Sequence, residues 1–118
     1  MHLHFNKEID LVSLEDVLKL KATKLTPLSE SKGENKCAKF YYQTNEYSKT
    51  YSDEEFEKFL FSLKGNLEYL PEILTEYDGE CSFALVFTEV NDSPCISLSQ
   101  EAIKFLNYLS ARFDVDFI

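Results

Sequence analysis

The stretch ECSFALVFTEV, residues 80–90, decides the fold. Phe83, Ala84, Leu85, Val86 and Phe87 put apolar side chains on both sides of an extended chain. A strand of that kind reads as an interior strand of a sheet, buried on both faces. Working outward, NDSP at 91–94 is a turn by composition. SLSQEAIKFLNYLSAR, residues 97–112, then reads as an amphipathic helix. Ser97 and Gln100 fit a capping box, and Ala102, Ile103, Leu106 and Leu109 form its inner stripe. The chain closes on FDVDFI, a strand with Phe113, Val115 and Phe117 turned inward and Asp114 and Asp116 outward.

On the N-terminal side, YSDEEFEKFLFSLKG at 51–65 is the clearest helix. Ser52 and Glu55 make a capping box, acids occupy the electropositive first turn, and Phe56, Phe59, Leu60 and Leu63 form the stripe up to Gly65. NLEYLPEILTEY restarts the pattern through Leu67, Leu70, Ile73, Leu74 and Tyr77, with Pro71 in a first turn. Residues 52–77 therefore read as two helices or one kinked helix. AKFYYQT alternates, with Ala38, Phe40 and Tyr42 on one side and Lys39, Tyr41 and Gln43 on the other. ATKLTPLSESKGENK, residues 22–36, has no period and reads as the longest loop. SLEDVLKLK is a short helix with a Ser13–Asp16 box and a Leu14, Val17, Leu18 stripe, and HLHF is a first strand with His2 and His4 outward. The order is β-α-β-α(α)-β-α-β. It predicts one α+β domain over 1–118, a four-stranded and mostly antiparallel sheet with three to four helices packed against it.

The 118 residues carry 21 acids against 12 bases, a net charge of −9. Such a field repels phosphate backbones and anionic membranes and steers a basic partner inward. Cys37, Cys81 and Cys95 are an odd set without close spacing, so neither a disulfide framework nor a zinc site is expected. The N-terminus has no signal-peptide pattern, and no apolar run reaches the length of a membrane span, so a cytoplasmic protein is expected.

PCISLSQEAIKFLNYLSARFDVDFI, with an amphipathic helix followed by an apolar-Asp-apolar-Asp-aromatic-apolar strand, resembles the close of a family of small bacterial proteins, domain of unknown function 4279. DVLKLKATKLTPLSESKGE resembles that family's N-terminal helix and loop. The resemblance implies a bacterial cytosolic α+β domain and carries over no catalytic residue.

Chemistry has little to stand on. GxGxxG, P-loop, HExxH, GxSxG and CxxC patterns are missing, and three glycines make a phosphate-cradling loop hard to build. Asp114 and Asp116 share a strand face about 6.5–7 Å apart, a spacing open to a carboxylate pair, a hard-cation site or a face turned to solvent or a partner. No third member joins them in sequence, which favours the last. Glu76, Asp78 and Glu80 surround the turn into the 80–90 strand, and Tyr47 lies in a polar connection; acids and tyrosines so placed suit recognition. No catalytic, cofactor-binding or metal-binding residue is expected. The reading is an acidic binding protein, a monomer or weak dimer, that neutralises a basic partner such as a cognate nuclease-type toxin domain. Tyr47, Glu76, Asp78, Glu80, Asp114 and Asp116 are its expected contacts. A regulatory or ligand-binding domain is the alternative, and a small enzyme using surface carboxylates stands behind it.

Overall fold

The computed structural model describes residues 1–43, 53–87 and 96–117, the side chains of residues 53, 54 and 117 excepted. The elements run β1 (His2–Phe5), α1 (Leu11–Leu18), β2 (Lys24–Thr26), a 3-10 turn at Leu28–Glu30, β3 (Ala38–Tyr41), α2 (Asp53–Ser62), α3 (Leu70–Glu76), β4 (Gly79–Phe87), α4 (Gln100–Tyr108) and β5 (Arg112–Phe117). The α+β class and the order of the expected elements hold. The described sheet has five strands in the order β2-β3-β1-β4-β5, one more than expected. The extra strand, β2, lies in the stretch read as loop. It is only three residues long, Leu25 alone being apolar, which is too short for a period to show. Backbone pairing with β3 holds it: Lys24 lies opposite Tyr41, Leu25 opposite Phe40 and Thr26 opposite Lys39. The sheet is mixed. β1 pairs antiparallel with β3 and β4, whereas β4 and β5 run parallel, and α4 supplies the crossover that a parallel pair requires.

Period-two alternation sorts the strands into two faces. Leu3, Phe5, Ala38, Phe40, Cys81 and Phe83 point to one side and are buried. Over them lie Leu11, Leu14 and Leu18 of α1, Phe56 and Leu60 of α2, Leu70 and Leu74 of α3, and Ala102, Phe105 and Leu106 of α4, in one continuous core. Burial pushes the Cys81 thiol up to about 12, which makes it an inert core residue. The opposite face carries His2, His4, Lys39, Tyr41, Glu80, Ser82, Ala84, Val86, Arg112, Asp114 and Asp116.

Three local expectations are corrected. Helix α1 starts earlier, because the Asp10 carboxylate accepts from the Ser13 amide at 3.1 Å and from its hydroxyl at 2.9 Å. The same hydrogen bonds lower the Asp10 pKa from its ordinary value. That start turns Leu11, Leu14 and Leu18 inward and leaves Val17 exposed. Helix α4 is capped by Ser99, whose hydroxyl accepts from the Ala102 amide at 3.1 Å. Phe105 joins its buried stripe and Ile103 faces out, because the 3.6-residue turn carries Ala102, Phe105, Leu106 and Leu109 past the sheet. Strand β4 is covered on one side only, and Val86 is 53% exposed on the other. Of the 52–77 stretch, the described residues 53–77 form two helices separated by turns around Gly65, with Pro71 in the first turn of α3. The Ser52–Glu55 cap, the 91–94 turn and Cys95 lie outside the described residues.

Candidate functional site

The open sheet face is organised in rows set by strand register. One row reads Lys24, Tyr41, His2, Ser82, Arg112 across all five strands. The next reads Thr26, Lys39, His4, Glu80. Beyond β1, Asp114 lies opposite Ala84 and Asp116 opposite Val86 on the β4–β5 pair. The His2 ring lies against Tyr41 with centroids 4.5 Å apart, and meets His4 edge-on at 6.2 Å. A shallow depression of about 440 Å³ is lined by His4, Glu80, Cys81, Ser82, Ser110 and Arg112.

Charge on this face is balanced. Lys24, Lys39 and Arg112 answer Glu80, Asp114 and Asp116. The Arg112 Nε donates to the Asp114 carboxylate at 2.9 Å, the one ion pair within 4.0 Å among the described residues. Burial lowers the pKa of both histidines below the ordinary 6.5, foremost for each, and neighbouring positive charge adds to it. Asp114 acts the other way on His2, as Glu80 does on His4. A partly buried, cation-flanked imidazole resists protonation.

The expected contact residues do not form one patch. Glu80, Asp114 and Asp116 share the open face, but six residues of strand separate Glu80 from the Val86–Asp116 row, about 20 Å at the usual rise. Glu76 ends α3 and Asp78 sits at the sheet's end, past the close of β1, and both have local work that spacing could not reveal. Asn6 Nδ2 donates to the Asp78 carboxylate at 3.1 Å, and Lys7 Nζ donates to the Glu76 carbonyl at 3.4 Å. Asp78 also holds φ +50, the left-handed turn that feeds β4. Tyr47 lies outside the described residues. Sequence reading put Lys39 and Tyr41 on one side of their strand and the histidines outward but missed their meeting, because strand neighbours are not written in any one segment. The Arg112–Asp114 contact was readable in principle, as i and i+2 of a strand share a face.

The helical layer has a different balance. Helix α1 has Glu15 and Asp16 and no base. Helix α2 has Asp53, Glu54, Glu55 and Glu57 against Lys58; α3 has Glu72 and Glu76 and no base; α4 has Glu101 against Lys104. Two exposed tyrosines adjoin it. Tyr69 stands just before α3, and Tyr108 donates its hydroxyl to the Glu68 carbonyl at 2.5 Å. Among the described residues, no group of three or more His, Cys, Asp or Glu is arranged to hold a metal ion, and no helix is long and apolar enough to cross a membrane.

The family described as "Domain of unknown function (DUF4279)" matches residues 3–118, both halves of the resemblance together. No curated protein and no solved structure matches the chain.

Proposed function

The chain belongs to the DUF4279 family, and from the charge on its two layers we propose that it is a stoichiometric binding protein for a basic protein partner, an immunity protein for a cognate toxin domain. The carrying observation is that the helices carry most of the chain's negative excess, with Asp16, Glu55, Glu72, Glu76 and Glu101 exposed, while the open sheet face is balanced. An acidic surface borne on packed helices is already in place before the partner arrives, so little ordering cost opposes docking, and its field steers a basic partner in. Tyr69 and Tyr108 offer apolar area with a polar tip at the rim of that surface, the type of side chain that anchors interfaces. Of the expected contacts, Glu76 lies on this layer, Asp78 at the sheet's end, and Glu80, Asp114 and Asp116 on the far face, where they are secondary.

The test is co-expression with the reading frame immediately upstream in the genome. Growth arrest caused by that neighbour's C-terminal region is relieved by this protein. Relief is lost when Glu55, Glu72 and Glu101 are changed to lysine together, and kept when Asp114 and Asp116 are. A harmless neighbour, or arrest that this protein does not relieve, removes the immunity reading. Relief lost only in the Asp114/Asp116 variant moves the interface to the sheet.

A further inference from the structure

The open sheet face has a symmetry that the helical layer lacks. Strand β1 is the middle strand of the described sheet, with β3 and β2 on one side and β4 and β5 on the other. A two-fold axis running along β1, parallel to the strands and lying between two facing sheets, sets β3 of one copy against β4 of the other. Because such an axis preserves position along the strands, each row faces its own row. Lys39 of one copy then meets Glu80 of the other, twice by symmetry, and Tyr41 meets Ser82. Lys24 lies across from Arg112, whose guanidinium is already held by Asp114.

We infer that this face is a homodimer interface, with Lys39 of each copy seated at Glu80 of the other and the two β1 strands facing each other along the axis. The charge pattern selects a second copy of this chain over other occupants. The whole molecule bears −9, so two copies repel over most of their surface, but this face is neutral, and on it Lys39 of each copy meets Glu80 of its mate. Lys39 and Glu80 flank His4 at about 10 Å, two strand spacings, and neither is ion-paired within the chain among the described residues. The depression lined by Glu80, Ser82, Ser110 and Arg112 gives the lysine stem of the second copy a place to enter. Half-buried Ala84 and Tyr41 supply apolar area. Five strands at about 4.8 Å, overlapping for only a few residues, give a footprint of a few hundred Å², below the roughly 800 Å² per partner of a standard interface. The dimer is therefore weak and concentration-dependent. It does not depend on the toxin-binding reading.

Sedimentation velocity from low to high micromolar protein tests it, using the wild type, Lys39→Glu, Glu80→Lys, an equimolar mixture of these two, and the Lys39→Glu/Glu80→Lys double variant. The wild type shifts from monomer to dimer with concentration. Each single variant sets like charges at both symmetry-related contacts, and its dimerisation constant weakens at least tenfold. The mixture regains the wild-type constant, because the carboxylate introduced in one variant then meets the ammonium introduced in the other, and the untouched Lys39 meets the untouched Glu80. The double variant regains it as well. A wild type that stays monomeric throughout overturns the inference, as do single variants that dimerise like the wild type. Single variants that stay monomeric when mixed overturn the pairing.

Discussion

Strand β4 takes part in both layers, and its two sides are made differently. Toward the helices, Cys81 and Phe83 are sealed into a core to which all four helices contribute. Toward the open side, Ser82 and Ala84 are half-buried and Val86 is largely exposed, among charges that balance over the face as a whole. The helical layer inverts that arrangement: its inner stripe is apolar without interruption, and its outer side is acidic with few bases. Burial thus fixes the side facing the interior, and leaves each outer face free to carry its own charge pattern.

Truncation on the two sides of β4 gives the sharpest break. Phe83 has no exposed area, so Phe83→Ala opens a cavity beneath the helices and costs about 3–5 kcal/mol. That is a large share of the roughly 5–15 kcal/mol of a single domain. Val86→Ala, three residues on and facing out, stays within about 0.5 kcal/mol in the monomer. Urea unfolding midpoints at low protein concentration measure both. Equal losses would mean that the open face is covered after all.

A smaller effect tests how closely the two layers meet. A Cβ on Gly79 would lie 2.7 Å from Phe5 Cδ1 and 2.9 Å from Leu74 Cδ2, both of them buried side chains. Gly79→Ala therefore overpacks the junction of β1, α3 and β4 and costs about 1–3 kcal/mol, read from the same midpoints. A neutral result would place slack between α3 and the sheet.

These contrasts also separate what was legible in the sequence from what was not. Periodicity over ten or more residues identified α2 and α4, and strict alternation identified β1, β3 and β5, because burial of one face imposes the pattern directly. It failed where the pattern is short or locally overridden. Strand β2 has three residues and no alternation to show. The caps Asp10 and Ser99 competed with equally plausible serines nearby, and Val17 and Ile103 stand at the edge of each apolar stripe, where periodicity alone does not separate core from surface. The apolar run in β4 suggested cover on both sides, yet alanine and valine tolerate a solvent-facing strand as well as a buried one. For the candidate surfaces, each acidic residue was visible, but their grouping was not. Glu80 and Asp116 are distant although they lie on neighbouring strands, because β4 extends well past β1. Asp78 was set apart by a turn and an Asn6 contact that only the fold creates.

The smallest expected effect belongs to the open face and concerns pH. His2 and His4 have folded pKa values below the ordinary 6.5, through burial first and nearby positive charge second. Below that value the unfolded chain binds more protons than the folded one, so stability falls as the pH drops through 6.5 and the loss levels off beneath the folded pKa. Both rings keep substantial contact with solvent, which makes the loss modest. The groups facing them are the Met1 amine, Lys39, Tyr41, Glu80, Arg112 and Asp114. Removing Lys39 relieves part of the penalty, while removing Glu80 deepens it at His4. Thermal unfolding followed from neutral pH downward in the wild type and in His2→Asn/His4→Gln tests this: the variant loses less melting temperature between pH 7 and about 5, where histidines titrate. Parallel curves would assign the acid sensitivity to the Met1 amine, whose pKa burial lowers to about 6, and leave the histidines without a part in it.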